Sequence, residues 1–107
     1  MNVIGIGQAG CAIAEKFKQY PQYKVFKIDT GLKGKNCFNM PKQNHPEKYE
    51  AKCPVVKVRT FLKGVRKKVL FITSCGNISG ANLRVLEHLK ANRCKITVLY
   101  IKPELEL

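Results

Sequence analysis

The stretch Val3-Ile4-Gly5-Ile6-Gly7-Gln8-Ala9-Gly10-Cys11-Ala12 leaves few folds open. Its apolar residues run up to Ile6 without the alternation of a half-solvated strand, the pattern of a parallel strand covered on both faces. Gly5-x-Gly7-x-x-Gly10 follows at once, and a helical pattern begins near Gln8. Glycines at a strand-to-helix turn let the backbone bend sharply and come close to a ligand. The first N–H groups of the helix lack internal partners, and the helix dipole favours an anion beside them. With a strand before it and a helix after it, the fingerprint points to phosphate or nucleotide binding. The same glycines also permit tight strand–helix packing with no ligand at all.

A chain of 107 residues makes one small domain. At 45% hydrophobic residues it has enough apolar surface for a core, which excludes wholesale disorder. No apolar run is long enough to cross a membrane, and Met1-Asn2-Val3 enters the first strand without the pattern of a signal peptide. A cytoplasmic location and no membrane partner are therefore expected. Cysteines stand at 11, 37, 53, 75 and 94, an odd number with no CxxC spacing. That suits buried free thiols in a reducing compartment. With only His45 and His88 to add, no zinc spacing forms, so no structural metal and no catalytic residue are expected. The net charge is +13, and no Asp or Glu occurs between Glu50 and Glu87. That span carries Lys52, Lys57, Arg59, Lys63, Arg66, Lys67, Lys68 and Arg84. Such a field attracts nucleotide phosphates, nucleic acid or an acidic protein, or simply forms a solvated basic face.

In chain order, Val3 to Ile6 reads as the first strand. Gln8 to Gln19 reads as a helix with Ala9, Ile13 and Phe17, flanked by Cys11 and Ala12, as its apolar stripe. Tyr20-Pro21 ends it. Tyr23 to Ile28 is a second strand, imperfectly alternating, as at a sheet edge or under partial cover on both faces. Asp29 follows Gly10 by 19 residues, where dinucleotide-binding folds place a ribose-binding acid; an aspartate that satisfies its own turn fits equally well. Residues 31–53 are punctuated by Gly, Asn and Pro and read as an irregular loop, with a short helical turn from Pro46 to Lys52. Val56 to Val65 reads as a short helix with Phe61, Leu62 and Val65 on its apolar side, or as a strand. Lys68 to Thr73 is a third, buried strand. A second glycine turn, Ser74 to Gly80, leads into a helix from Gly80 to Lys90. Ser79 is its expected N-cap, Ile78 and Leu83 its hydrophobic staple, and Leu83, Val85, Leu86 and Leu89 its buried side. Asn92 suits the left-handed position after it. Ile96 to Ile101 is the fourth strand, closed by Pro103.

The fold class is therefore α/β, a small Rossmann-like parallel sheet with helices on both faces. Right-handed crossovers give the strand order 2-1-3-4. Both glycine turns then leave neighbouring strands at the topological switch point, where open α/β sheets bind ligands.

The run Gly5-Ile6-Gly7-Gln8-Ala9-Gly10-Cys11-Ala12 resembles the first nucleotide loop of the tubulin and FtsZ superfamily, and tubulins carry Gly-Gln-Ala-Gly-Cys there. The second turn resembles the superfamily's glycine-rich signature loop at Ser74, Gly76, Ser79 and Gly80, while Cys75, Asn77 and Ile78 depart from it. Thr97 to Pro103 is similar to the strand and Lys-Pro that follow in FtsZ. The resemblance implies a guanine-nucleotide site for GTP or GDP, with Gly7, Gln8, Ala9, Gly10 and Cys11 in the first loop and Gly76, Asn77, Ser79 and Gly80 in the second. It implies the amino-terminal part of a GTPase domain, without the half that triggers hydrolysis, and a compact tubulin-like protein of bacteriophage origin, acting in the host cytoplasm. A homo-oligomer is a further implied partner. Two alternatives stand beside it: a Rossmann-type dinucleotide-binding half-domain using Asp29, and a basic non-enzymatic module for nucleic acid or an acidic protein.

Overall fold

The sheet is parallel throughout, and helices lie between most of its successive strands. The computed structural model describes residues 1–102. Its elements are β1 (Asn2–Ile6), α1 (Gly7–Lys16) with a 3₁₀ turn at Phe17–Gln19, β2 (Lys24–Asp29) and β3 (Cys37–Asn39). Then come α2 (Pro46–Ala51), α3 (Val55–Phe61), β4 (Lys68–Ser74), a 3₁₀ turn at Asn77–Ala81, α4 (Asn82–Ala91) and β5 (Lys95–Ile101). The sheet order is β3-β2-β1-β4-β5. The four expected strands keep their relative order, but a fifth, β3, adds to the edge beside β2. The expected order 2-1-3-4 therefore becomes 3-2-1-4-5, and β2 is an interior strand. Three residues are too few to show a period. β3 is held by the Lys27 N–H on the Asn36 carbonyl at 2.9 Å and the Met40 N–H on the Asp29 carbonyl at 2.8 Å. The Asn39 side chain bonds both the N–H and the carbonyl of Leu32. The expected closure at Pro103 lies outside the described residues.

Both faces of the sheet are covered over β1, β2 and β4, which explains their apolar runs, while β5 is largely exposed. On one face Val3, Val25 and Ile72 pack against Ala14 of α1, with Ile13, Phe17 and Tyr23 around them. On the other, Ile4, Ile6, Phe26, Ile28, Val69 and Phe71 meet Val58, Leu62, Val85 and Leu89 beneath α2, α3 and α4. Lys27 emerges on the α1 face and is paired by Glu15, which lowers the Glu15 pKa and raises that of Lys27. Among the described residues no helix is long and apolar enough to cross a membrane.

Several local expectations are corrected by packing. In α1 the buried residues are Gly7, Gly10, Cys11 and Ala14, not the larger stripe through Ala9, Ile13 and Phe17, because the helix sits too close to the sheet for bulk at its centre. A Cβ on Gly10 would stand 2.5 Å from the Ile72 carbonyl oxygen. One on Gly5 would meet the Gly10 carbonyl and stand 2.8 Å from the Ala14 Cβ. α4 starts at Asn82, after a 3₁₀ turn, and no side chain caps it, so Ser79 is not its N-cap. Leu83 is 51% exposed and forms no staple with Ile78; the buried side is Val85 and Leu89. The left-handed residue after α4 is Arg93, not Asn92, whose side chain bonds His88 instead. Within 31–53 only β3 is unforeseen: α2 matches the helical turn expected from Pro46, and 55–61 is the expected helix rather than a strand, with Val58 buried in it and Leu62 and Val65 buried just beyond.

Gly10→Ala is expected to destabilise by about 3 kcal/mol or to prevent folding, since backbone rather than a flexible side chain blocks the new methyl. Gly64→Ala, with nothing within 4 Å, is expected to be neutral or stabilising by up to about 1 kcal/mol. Urea unfolding of the two variants checks the contrast.

Candidate functional site

β1 and β4 are hydrogen-bonded neighbours, with Gly5 opposite Ile72, so the turns that follow them leave the sheet side by side. Gly7 turns at once into α1, at φ +80°, a left-handed conformation that glycine adopts without strain. Ile6 is the N-cap of α1, no side chain caps the helix, and its first turn carries no acid. Its leading amides therefore have no side-chain acceptor. Between the turns lies a crevice of about 440 Å³, lined by Gly7, Gln8, Ala9, Ala12, Ser74, Gly76 and Ile78. That volume falls in the range of small-ligand sites, ~300–1,000 Å³. Among the described residues no ionisable side chain lines it. Its polar groups are main-chain amides, the Ser74 hydroxyl and the Gln8 amide, a set suited to holding an anion rather than to acid–base or nucleophilic chemistry.

Four of the residues expected from the sequence thus meet: Gly7, Gln8, Ala9 and Gly76. The other six do not line the crevice. Gly10 faces the Ile72 carbonyl, so it serves packing. Cys11 is buried, and its thiol donates to the carbonyls of Gly5 at 3.4 Å and Ile28 at 3.5 Å. Burial pushes its pKa up to about 11. Asp29 is half-buried at the end of β2, near enough to Cys11 for its charge to raise that pKa further. Asn77 is turned away, donating its side-chain amide to the Asn44 carbonyl at 3.2 Å. Ser79 donates its N–H back to the Gly76 carbonyl at 2.9 Å. Gly80 lies under the start of α2, where an added Cβ would collide with the Pro46 carbonyl and stand 2.8 Å from its Cα. The second turn therefore owes Gly80 to a neighbouring segment.

Ile78 is the residue whose part in the crevice the glycine pattern least prepares for. It is 8% exposed, and its Cγ2 stands 3.1 Å from where a Gly7 Cβ would be. Its side chain covers Gly7, leaving the way in past Gln8, Ala9 and Ala12 on one side and Ser74 and Gly76 on the other. The sequence signal for this was present as the one branched residue among the small residues of the second turn. The cysteines are all unpaired, as expected, but only Cys11 is buried and Cys75 is exposed.

No protein-family model matches the chain, and no curated protein or solved structure does.

At pH 8 the Cys11 thiolate fraction is roughly one in a thousand, from the tenfold change per pH unit below a raised pKa. A thiol reagent is therefore expected to modify Cys75 first and Cys11 only after denaturant is added. Mass mapping of labelled peptides checks the order, and early labelling of Cys11 in the folded protein would show that its burial is misjudged.

Proposed function

We propose that this chain is a tubulin/FtsZ-like domain that binds the phosphates of a guanine nucleotide, GTP or GDP, between its two glycine turns. The observation that supports the reading is the crevice at the carboxyl ends of β1 and β4, where an uncapped helix start and a left-handed glycine face the Ser74–Gly76 turn. Those strands flank the switch point of the 3-2-1-4-5 sheet, and open α/β sheets bind ligands there. The chain's net charge of +13 draws anions to the protein as a whole. Phosphate oxygens would accept from the amides of Gln8 and Ala9 and from the Ser74 hydroxyl. With no ionisable group among the described residues that line it, the crevice binds without hydrolysing. A dinucleotide reading would need Asp29 on a ribose, and Asp29 does not line this crevice.

Thermal unfolding with GTP, GDP and NAD tests the proposal. A guanine nucleotide at about 100 times its dissociation constant should stabilise by roughly 2.7 kcal/mol. NAD should do less, and no phosphate should be released from GTP. A shift with NAD alone would favour the dinucleotide alternative, and no shift with any of them would overturn the site. Ile78→Ala should lower stability by about 2–4 kcal/mol, the usual cost of truncating a buried isoleucine, and should tighten nucleotide binding by uncovering Gly7. Unchanged affinity in the folded variant would remove Gly7 from the phosphate path.

A further inference from the structure

A second hollow lies on the other layer of the molecule, between α3 and α4. We propose that it docks the phosphate backbone of duplex nucleic acid through Arg59, Lys63, Arg66 and Arg84. Arg59 and Lys63 stand one helical turn apart along α3 and the turn that follows it, and Arg84 and His88 stand one turn apart on α4 across from them. All of them line one hollow of about 330 Å³. Its only acid among the described residues is Glu87, which is occupied by Arg84 at 3.3 Å. Among the described residues Arg59, Lys63 and Arg66 pair with no carboxylate. Arg66 is braced by bonds from one guanidinium nitrogen to the carbonyls of Lys63 at 2.6 Å and Val65 at 3.0 Å. Its remaining N–H groups are left for a ligand. Burial first, and then the charges of Arg59 and Arg66, push the His88 pKa down, so the groove is positive even toward its own imidazole.

The extent of the charge argues for a polymer. Arg66 also borders an adjoining hollow with Lys67, Lys68 and the start of the chain. Lys68 lies beside Lys95 in the β4–β5 register. Like charges side by side on neighbouring strands weaken a sheet. No carboxylate among the described residues offsets them, so a continuous basic path runs from α4 to the amino ends of the strands. A single small anion would use a fraction of it. Base stacking is not offered along this path. Phe61, the aromatic of α3, is turned inward onto Phe26 and Phe38, with ring centroids 5.7 and 5.4 Å away. Among the described residues no Phe, Tyr or Trp lines either hollow. Contacts to phosphates without stacking suit a duplex better than a single strand, and they are sequence-independent and salt-dependent.

The test is fluorescence anisotropy of the whole chain with a labelled duplex of about 20 bp, across roughly 50 to 200 mM salt. Arg59→Ala/Lys63→Ala should weaken binding at least tenfold at low salt. It should also reduce the slope of log affinity against log salt by about 1.8, two contacts at ~0.9 each. Lys16→Ala/Lys18→Ala removes the same charge from the exposed end of the α1 region on the opposite face and should leave the slope within about 0.5 of the parent. Both pairs are solvent-exposed, and circular dichroism confirms that the variants fold. Equal effects of the two pairs would overturn the groove in favour of diffuse attraction. Tighter binding of a single strand, or of poly-glutamate, would overturn the duplex assignment. Retained response to GTP in the Arg59→Ala/Lys63→Ala protein separates this surface from the glycine crevice.

Discussion

Backbone meets backbone where α1 crosses β1 and β4, and the remaining architecture is arranged around that contact. The missing side chain of Gly5 admits the Gly10 carbonyl, and the missing side chain of Gly10 admits the Ile72 carbonyl. The helix can therefore lie low over the sheet, with the Cys11 thiol bonded to the ends of β1 and β2 beneath it. This closeness points the start of α1 at the turn after β4 and sets the width of the crevice. Two of the three motif glycines are consumed in holding the helix down. The third, Gly7, makes the turn.

A second close approach frames the crevice from the other layer. Gly80 lets the Pro46 backbone rest on the 3₁₀ turn, and Asn77 ties that turn to Asn44. The segment between β3 and α2 is thus a wall of the second turn rather than a free loop. Held there, the turn presses Ile78 over Gly7. The result is a crevice partly roofed by an aliphatic side chain, with Arg59, Lys63 and Arg66 gathered elsewhere, around the hollow between α3 and α4. At the far edge β5 leaves Val98, Leu99 and Tyr100 half exposed, having a neighbour on one side only among the described residues.

Much of this was legible in the amino-acid order. Runs such as Val69-Leu70-Phe71-Ile72 mark strands covered on both faces, and the glycine fingerprint marks where the first strand becomes a helix. With right-handed crossovers those features lead to the parallel sheet and its switch point. What escaped was long-range. Whether a glycine serves a ligand or a neighbouring backbone depends on what stands across the gap, so Gly10 and Gly80 resembled Gly7 and Gly76 until their neighbours Ile72 and Pro46 were known. Leu83 fits a helix-period stripe, yet it stays half exposed in an open hollow beside Ile96 and Val98 of the edge strand. β3 is shorter than any detectable alternation, and the left-handed turn fell on Arg93 although Asn92 has the better local chemistry for it.

On the proposed reading, an anionic group sits on the main chain at the start of α1 and at the end of β4. Amide NMR of the uniformly ¹⁵N-labelled protein, titrated with GDP, tests it most directly. Saturable shifts are expected at the amides of Gly7, Gln8, Ala9, Gly76 and Asn77, with those of Gly10 and Gly80 moving less. Shifts confined to the α3–α4 groove, or no saturable change at the two turns, would contradict it.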